Sequence, residues 1–401
     1  MSGIIIVGAG QAGASLATKL RMLGYDGAIT MIGEEPAPPY QRPPLSKGYL
    51  LGDMRLERLC LRSVAFWEEQ KVTLRLGAPV TALDRIAKSV RVGSEIIPYG
   101  KLALTTGSRP RRLPAASGGE LDGVYTVRTI ADVDAMAPEF QKGRRLLIVG
   151  GGYVGLEVAA VSANFGLQVT LIEMAPRILQ RVASPATSDY VRKLHTNHGV
   201  KILENTGLDR LTGNGRVSGA ILSDGVEIAV DFVVAGVGIT PTVLLAEEAG
   251  LDIENGIRTD DFGQTSDSSI WAAGDCASFP YKGARIRLES VGNAIDQAEV
   301  VAENMLGASK SYEAKAWFWS DQYDVKLQIA GLSSGYDHVV TRGDGDAVSF
   351  WYYAGDKLLA IDAINDARAY MVGKRLIEMG KSPDPVVIVN PAADIRMLLK
   401  S

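Results

Sequence analysis

The sequence predicts an α/β protein with two parallel-sheet units, followed by a separate C-terminal α+β unit. Its length of 401 residues suggests two or three domains. The main observation is an internal repeat, in which an apolar strand, a glycine turn and an apolar helix begin at Ile4 and again at Leu146. Each copy continues into a second apolar strand that ends in an acidic residue, and such strand–helix–strand segments are typical of parallel sheets. From about Ser311 the pattern changes to short strands and one helix, which indicates the third unit.

The first repeat contains the motif Gly8-x-Gly10-x-x-Gly13, directly after its first strand. Glycines at these positions allow a tight turn and the close approach of a diphosphate, whose charge then lies at the N-terminus of the following helix. That helix is predicted to reach about Leu23, and the next strand leads to Glu34, at a spacing that suits a contact to a ribose hydroxyl. We interpret this segment as a Rossmann-like dinucleotide site; a glycine turn without a ligand is the alternative.

The second repeat contains Gly150-x-Gly152-x-x-Gly155, with a helix predicted to reach about Phe165 and an acid, Glu173, after the next strand. Two dinucleotide sites in one chain imply two dinucleotides, and a nicotinamide and a flavin form the simplest pair. Hydride passes directly between such rings, so the protein mainly supplies positioning and charge.

The acid of the second repeat bears on the choice of nicotinamide. A carboxylate at Glu173 accepts hydrogen bonds from a ribose diol and repels a 2′-phosphate, which favours NADH over NADPH. Arg177 and Arg181 are the counter-argument, because they could hold a phosphate, although they could equally form a solvated basic edge.

Several other elements follow from local patterns. A hairpin turn is predicted at Asp224-Gly225, and a helix near residues 293–306. A proline-rich loop covers 36–44, short strands lie within 72–92, apolar strands occupy 102–106, 233–238 and 270–275, and the last unit has strands at 325–330, 338–342, 347–353 and 357–364 with a helix near 367–378.

The composition excludes several classes of function. A net charge of −4 gives no basis for binding nucleic acid or anionic lipid. No apolar run is long enough to span a bilayer, and the chain enters its first strand at Ile4 without a signal sequence, so we expect a cytoplasmic protein. The two cysteines, Cys60 and Cys276, are far apart, which excludes a redox CxxC motif, a self-contained iron–sulfur cluster and a structural zinc site. We expect no metal.

Seven segments together resemble one known family. They are residues 43–47, 105–107, 127–129, 150–157, 273–276, 289–291 and 317–322, of which Pro-Pro-Leu-Ser-Lys and Trp-Phe-Trp-Ser-Asp-Gln are the most specific. Over nearly its whole length the chain is similar to the oxygenase-coupled, NADH-dependent ferredoxin reductases of the putidaredoxin reductase type. It departs from their pattern at Thr105, Val127 and Gly292, where Ala, Leu and Pro are usual. The resemblance implies a glutathione-reductase-like fold, with an FAD domain at 1–108 and 241–312, an NAD domain at 109–240 and a C-terminal domain at 313–401.

The resemblance also implies site residues. Lys47 would lie near flavin N5 and pair with Glu157 as the catalytic pair, and Asp275 would bind the ribityl chain. The remaining FAD contacts would be Gly8, Gly10, Ala12, Gly13, Glu34, Arg42, Val80, Thr106, Gly107, Arg128, Val291 and Trp319, and the NAD contacts Gly150, Gly152, Tyr153, Val154, Gly155, Glu157, Glu173, Arg181 and Gly238.

Each of these roles has a simpler alternative. Lys47 could be a solvated loop lysine and Asp275 a turn aspartate. The proline-rich loop could be a polyproline ligand. Trp317 and Trp319 could form an aromatic wall near the flavin or only pack in a strand. The three histidines, His195, His198 and His338, fit surface or core positions better than a metal site.

Residue identities weigh against related chemistries. Disulfide reductases need a cysteine pair, and peroxidase-type relatives need a reactive cysteine where this chain has Ser46. The family resemblance then implies electron transfer from NADH through FAD to a [2Fe–2S] ferredoxin, which serves a cytochrome P450 or Rieske oxygenase. A rubredoxin reductase and a redox-sensing protein similar to apoptosis-inducing factor are the alternatives.

Overall fold

The computed structural model describes residues 3–400 and divides into two compact units. Unit 1 comprises Met1–Arg42, Met54–Arg109 and Ile239–Ala316. Unit 2 comprises Pro43–Asp53, Pro110–Gly238 and Trp317–Ser401. One glycine turn lies in each unit. The domain boundaries given above stay a prediction.

A five-stranded parallel sheet forms the centre of unit 1. Its middle strand, Ile4–Val7, is buried at every position, because a central strand of a parallel sheet carries apolar side chains on both faces. In order across the sheet the strands are Ile270–Ala272, Lys101–Leu104, Ile4–Val7, Ile29–Ile32 and Val72–Arg75.

Two helices of unit 1, Gln11–Met22 and Val291–Met305, pack on each other and on this sheet. Leu16, Leu20 and Val301 are fully buried in their shared apolar cluster. Complete burial of a side chain of this size contributes roughly 1.5–3 kcal/mol, so apolar burial alone accounts for this contact. The other elements of unit 1 are the helices Leu56–Leu59, Val64–Glu69 and Leu244–Glu248 and the strands Val80–Asp84, Ser89–Val92, Glu95–Pro98, Ser108–Pro110, Ile239–Pro241, Ile257–Arg258, Ala277–Tyr281 and Ala284–Ile286.

Unit 2 contains a second parallel sheet, which repeats the arrangement of the first. The strand before its glycine turn, Arg145–Val149, again lies in the middle. In order the strands are Lys201–Leu203, Gln168–Ile172, Arg145–Val149, Phe232–Ala235 and Val124–Tyr125. The helices of this part are Ile130–Met136, Tyr153–Asn164 and Pro185–Asn197, and an antiparallel sheet is formed by Leu208–Asn214, Arg216–Leu222 and Glu227–Ala229.

An antiparallel sheet and three helical segments make up the C-terminal part of unit 2. The strand order is Trp317–Gln322, Val325–Gly331, Lys357–Ile364, Ala347–Ala354 and His338–Asp344. The helical segments are Ala367–Glu378, Pro385–Val389 and the 3₁₀ turn Ile395–Leu399. Further 3₁₀ turns lie at Pro43–Ser46, Ala115–Ser117 and Ala137–Glu139. Trp351 and Tyr353 are fully buried in the core of this part.

The predicted fold class is confirmed, and most elements end within a residue or two of their expected limits. The two glycine-turn helices end at Met22 and Asn164, and the hairpin at Asp224-Gly225 is present between its two strands. The helix Ile130–Met136 was not predicted, although its capping box, Thr129 with Asp132, is a sequence signal for a helix start. Between residues 3 and 400, no helix has the length and hydropathy needed to cross a membrane.

Candidate functional site

The first glycine turn is shaped by contacts that only glycine permits. Gly8 has a φ of +117°, and a Cβ there would lie 2.1 Å from the carbonyl oxygen of Thr105. A Cβ on Gly13 would lie 2.1 Å from the oxygen of Gly8. The Thr105 hydroxyl donates to that same Gly8 oxygen at 2.9 Å, so this departure from the family pattern ties the turn to the sheet.

The middle glycine of this turn differs from its neighbours. A Cβ on Gly10 would meet nothing within 4 Å, and Gly10 caps helix Gln11–Met22 without any side-chain hydrogen bond. The first N–H groups of the helix therefore face open space beside a backbone that lacks side chains. This arrangement fits a diphosphate.

The second glycine turn has the same construction. Gly150 has a φ of +108° and its added Cβ would lie 2.4 Å from the oxygen of Gly236, while that of Gly155 would lie 2.3 Å from the oxygen of Gly150. Gly152 again has open space and caps its helix without a side chain. Unit 2 therefore offers a second place for a diphosphate.

The acids that follow the two turns are held differently. Glu34 forms an ion pair with Arg109 at 2.9 Å, and both side chains are 65% exposed. The Glu173 carboxylate instead accepts backbone hydrogen bonds from Gly151 and Ala175, each at 2.8 Å. Glu173 is therefore fixed against the glycine turn itself.

The two arginines near Glu173, Arg177 and Arg181, have different surroundings. Arg177 donates to the Ser188 hydroxyl at 2.6 Å and to the carbonyl of Gln180, so its guanidinium is turned toward the protein. Arg181 is exposed. Its Nη2 would lie 3.9 Å from a Cβ added to Gly238, which lies just after the strand Phe232–Ala235. Arg181 and Gly238 are thus neighbours, as expected for two residues of one site.

Asp275 lies in a tight turn of unit 1 after the strand Ile270–Ala272. Its carboxylate accepts a hydrogen bond from the Ser108 hydroxyl at 2.9 Å. The preceding Gly274 has a φ of +83°, and its added Cβ would lie 3.0 Å from that of Ala12 on the first glycine-turn helix. The turn therefore brings Asp275 toward the first glycine motif.

Five buried side-chain polar atoms of unit 1 have no hydrogen-bond partner among the described residues: Nε1 of Trp67, the hydroxyls of Tyr99 and Ser278, Nε2 of Gln297 and Oγ1 of Thr242. Of these, the atoms of Gln297 and Thr242 lie on residues that contact Gly274 and Thr106. Gln297 uses its oxygen to accept from the N–H of Gly274 at 2.9 Å, and Thr242 accepts through its carbonyl from the Thr106 hydroxyl at 2.7 Å. Buried polar groups usually have partners, so both atoms favour a polar ligand beside Gly274 and Thr106.

The other predicted FAD contacts of unit 1 lie in four separate segments. Arg42 pairs with Glu35 at 2.6 Å. Burial lowers the pKa of Arg42, but the neighbouring Tyr40 and Glu35 outweigh it, so that pKa is raised. Val80 is half-buried in strand Val80–Asp84, Gly107 has a φ of +66°, and Val291 begins the helix that Ser290 caps.

The predicted catalytic pair lies within unit 2. Lys47 follows the 3₁₀ turn Pro43–Ser46, and its ammonium is 2.7 Å from Oε2 of Glu157. Glu157 is buried in the helix that follows the second glycine turn. The hydroxyl of Ser46 donates to the same oxygen at 2.8 Å, and the hydroxyl of Ser320 donates to Oε1 at 2.8 Å. Three donors from three different residues therefore fix the position of this carboxylate.

The remaining predicted contacts of unit 2 lie around helix Tyr153–Asn164 and the C-terminal sheet. The ring of Tyr153 packs at 4.9 Å from that of Phe318, whereas Val154 is 46% exposed at the start of the helix. Trp317 and Trp319 stack with ring centroids 5.4 Å apart. Arg128 is half-buried just before helix Ile130–Met136. Their roles stay predictions.

Sequence reasoning did not single out Ser108, Gln297, Ser320 and Gln322 as site residues. For the last two a signal was available. Side chains alternate between the faces of a strand, so in Trp317–Gln322 the polar positions 320 and 322 share one face and the two tryptophans share the other. Ser108 and Gln297 carry no such signal, because only the fold places them near Asp275 and Gly274.

Within residues 3–400, neither the two cysteines nor any group of metal-ligating side chains has the surroundings of a reactive site. Cys276 is buried, Cys60 is half-buried, and both are free thiols. Burial raises the pKa of each thiol, which disfavours the reactive thiolate. The described part of the chain contains no group of three or more His, Cys, Asp or Glu side chains that could hold a metal ion.

Each parallel sheet carries one glycine turn, which leads into a helix whose N-cap glycine makes no side-chain hydrogen bond. Two such turns in one chain define an oxidoreductase of the two-dinucleotide class. Residues 2–298 match the model of the pyridine nucleotide-disulphide oxidoreductase family, and residues 317–399 match the reductase C-terminal family. The chain belongs to the pyridine nucleotide-disulphide oxidoreductase family, with a reductase C-terminal domain. It has no cysteine pair of the kind that the family name suggests.

Individual relatives show which members of this family the chain is similar to. The chain is 39% identical to the ferredoxin–NAD(+) reductase component of the anthranilate 1,2-dioxygenase system of Burkholderia cepacia, over 98% of both chains. It is 36% identical to rubredoxin-NAD(+) reductase of Pseudomonas putida, over 90% of this chain and 95% of the relative. Among solved structures, the covalent putidaredoxin reductase–putidaredoxin complex matches with a TM-score of 0.96 at 36% identity, over 100% of this chain and 98% of the other. The expected family is confirmed.

Proposed function

We propose that this protein is an FAD-dependent NADH:ferredoxin oxidoreductase, which supplies electrons to a [2Fe–2S] ferredoxin of a cytochrome P450 or Rieske oxygenase system. The observation that carries the proposal is the pair of glycine turns, each with open space at its middle glycine, in a chain without a cysteine pair. Two dinucleotides can then bind, while the chain has no cysteine pair that could accept electrons from the reduced flavin.

The bound flavin would supply a ring that takes up an electron pair as hydride and releases the electrons one at a time. The chain's own residues bind and orient it. The turn at Gly10 would hold its diphosphate, Asp275 a polyol hydroxyl, and Gln297 and Thr242 would gain the partners that they lack. Lys47, fixed by Glu157, would place a positive charge where the reduced ring carries negative charge.

The overall balance requires a one-electron acceptor. NADH gives up two electrons and one proton as hydride, and a [2Fe–2S] cluster takes one electron, so each NADH reduces two ferredoxins and releases one proton. A rubredoxin takes one electron in the same way. The similarity to rubredoxin-NAD(+) reductase makes a rubredoxin the second candidate acceptor.

We propose NADH as the electron donor in preference to NADPH. The Glu173 carboxylate is fixed at the second glycine turn by two backbone N–H groups, where it would accept a hydrogen bond from a ribose hydroxyl and repel a phosphate. Of the two basic residues that could offset this repulsion, Arg177 is turned toward Ser188, whereas Arg181 is exposed. We also propose that the protein acts in the cytoplasm, where NADH is supplied; cell fractionation tests this.

Anaerobic titration of the purified yellow protein with NADH tests the proposal. We expect one equivalent of NADH to bleach the flavin, and the reduced protein to transfer its electrons to an oxidised [2Fe–2S] ferredoxin much faster than free reduced flavin does. A parallel mixture with a rubredoxin ranks the two acceptors. A protein that binds no flavin, or whose reduced form transfers electrons to neither acceptor faster than free flavin, would contradict the proposal.

A further inference from the structure

A chain of buried polar side chains leads away from the Lys47–Glu157 pair inside unit 2. The Ser320 hydroxyl is 2.8 Å from Oε1 of Glu157, and Nε2 of Gln322 is 3.1 Å from that hydroxyl. Nε2 of His195 is 2.8 Å from Oε1 of Gln322, and the Tyr323 hydroxyl is 3.1 Å from Nδ1 of the same ring. Ser320 and His195 are fully buried, and Gln322 is buried as well. Together these contacts form a hydrogen-bond relay from Tyr323 through His195, Gln322 and Ser320 to Glu157.

With a neutral His195 ring, only one arrangement of protons satisfies every contact of the relay. The Glu157 carboxylate accepts, so Ser320 spends its single proton on it and must itself accept from the Gln322 amide nitrogen. The Gln322 oxygen then faces His195, whose Nε2 must carry the proton. The unprotonated Nδ1 accepts from the Tyr323 hydroxyl, and every donor in the relay points toward Glu157.

The surroundings of His195 keep its ring neutral. Burial lowers the pKa of His195 to about 4, and the nearby His198 adds to the decrease, while the hydrogen bond to Gln322 opposes it only in part. The exposed His198 stacks on the Tyr323 ring with centroids 3.7 Å apart. A neutral ring keeps one donor and one acceptor, which the directed relay requires.

The relay is not needed to attach helix Pro185–Asn197 to the C-terminal sheet. A second buried polar contact performs that task, since the Thr187 hydroxyl donates to Asp362 at 2.8 Å, and Asp362 also accepts from the Tyr352 hydroxyl. Both contacts join the same helix to the same sheet, but only the relay ends at Glu157. Aligned hydrogen bonds strengthen one another, so the relay increases the hold of Ser320 on that carboxylate.

We propose that Ser320, Gln322 and His195 are positioning residues, which fix the Glu157 carboxylate and through it the Lys47 ammonium. The proposal rests on the proposed function for the role of Lys47. The charged and hydrogen-bonding groups that face Glu157 are Lys47, Ser46 and Ser320, and those that face His195 are Gln322, Tyr323 and His198.

The direction of the relay can be tested without turnover. The chain has only three histidines, so a protein labelled with ¹⁵N in its imidazole rings gives a simple spectrum, in which His195→Gln identifies the ring of interest. In the FAD-loaded protein without NADH, we expect the neutral Nε2–H tautomer of His195 from pH 6 to pH 8. A ring protonated at Nδ1, or one that titrates within this range, would overturn the relay whatever the protein's activity.

The effect on the catalytic pair is tested with two matched variants. Ser320→Ala removes one hydroxyl donor from the buried Glu157, and Thr187→Val removes one from the buried Asp362 in the same unit. We expect Ser320→Ala to slow flavin reduction by NADH about tenfold, the loss typical of one hydrogen bond to a charged group. The midpoint potential of the bound flavin becomes more negative, because a less firmly fixed Lys47 ammonium stabilises the reduced ring less.

Gln322→Leu acts one step further away, so its rate loss is expected to be smaller, at about threefold. Thr187→Val leaves both the rate of flavin reduction and the midpoint potential of the flavin unchanged. The positioning role is overturned if Thr187→Val and Ser320→Ala have the same effect, or if Ser320→Ala leaves the midpoint potential of the flavin unchanged. Because the readout is flavin reduction, failure of the protein to reduce ferredoxin leaves this test intact.

Discussion

The two glycine-turn regions share their local geometry but differ in what surrounds them. In unit 1 the acid after the turn, Glu34, is exposed beside Arg109, and the helix Val291–Met305 packs through apolar side chains. In unit 2 the corresponding acid, Glu173, is fixed by backbone N–H groups. There the helix Pro185–Asn197 meets its neighbouring sheet through buried polar groups.

The difference shows that a repeated motif sets only the place of the diphosphate. The chemistry next to each turn depends on contacts that the repeat does not include. Apolar packing in unit 1 is insensitive to pH, whereas a buried carboxylate in unit 2 makes packing depend on the protonation state of a side chain.

The largest effect is expected from placing an aspartate at the middle glycine of either turn. Gly10 and Gly152 both have extended backbone angles and open space, so Gly10→Asp and Gly152→Asp fit the fold and add a helix cap. The new charge would repel a diphosphate about 5 Å away by roughly 3 kcal/mol, or about 100-fold in affinity. We expect Gly10→Asp to lose FAD, and Gly152→Asp to keep FAD but to respond to NADH only at far higher concentration.

Flavin absorbance after gel filtration and NADH titration distinguish the two variants. Thermal unfolding of the flavin-free proteins is the control, and it should show stability equal to or slightly above that of the parent. Loss of FAD from Gly152→Asp, with Gly10→Asp unaffected, would reverse the assignment of the two turns.

The next effect concerns the buried carboxylate of unit 2. Burial raises the pKa of Asp362 to about 6, against an ordinary value of 3.8, although Tyr352 and Thr187 donate to it. The folded state therefore binds this proton more tightly than the unfolded state. The stabilisation is complete below about pH 4 and is lost as pH rises through 6, a decrease of about 3 kcal/mol in the free energy of unfolding.

Asp362→Asn removes this dependence. We expect the difference in unfolding free energy between the parent and Asp362→Asn to change by roughly 2 kcal/mol from pH 4 to pH 7 in urea titrations. A control variant, Asp231→Asn, changes a partly exposed carboxylate whose pKa the hydrogen bond from Arg145 lowers, so its pH dependence has the opposite sign. A pH-independent difference for Asp362→Asn would show that this carboxylate stays charged in the folded protein.

A smaller effect is expected from the two acids that follow the turns. Glu173→Ser should lower kcat/KM for NADH about tenfold and affect NADPH less, because it removes both a ribose acceptor and a charge that repels phosphate. Glu34→Ser should weaken FAD binding by no more than about threefold, since Glu34 is exposed and paired with Arg109. Steady-state kinetics with both nicotinamides test Glu173→Ser, and flavin dissociation measurements test Glu34→Ser. Equal effects of the two variants would remove the contrast between the turns.

Much of this molecule follows from short-range patterns in the chain. The glycine spacing, the apolar strand before it and the acid after the next strand predicted both parallel sheets, because these residues act on their own neighbours. The helix ends at Met22 and Asn164 were predicted within one residue for the same reason. In the C-terminal strand, the period of two likewise places Ser320 and Gln322 on one face and the two tryptophans on the other.

Tertiary structure alone decided which distant residues meet. The sequence places Lys47, Glu157 and Ser320 in three separate segments, and only the fold brings two donors from the first and last of these segments onto one carboxylate. It likewise determines that Glu173 is held by backbone N–H groups, while Glu34 faces an arginine. The physical reason is that hydrogen bonds and burial depend on distances across the fold, whereas backbone preference and hydrophobic periodicity are properties of neighbouring residues in the chain.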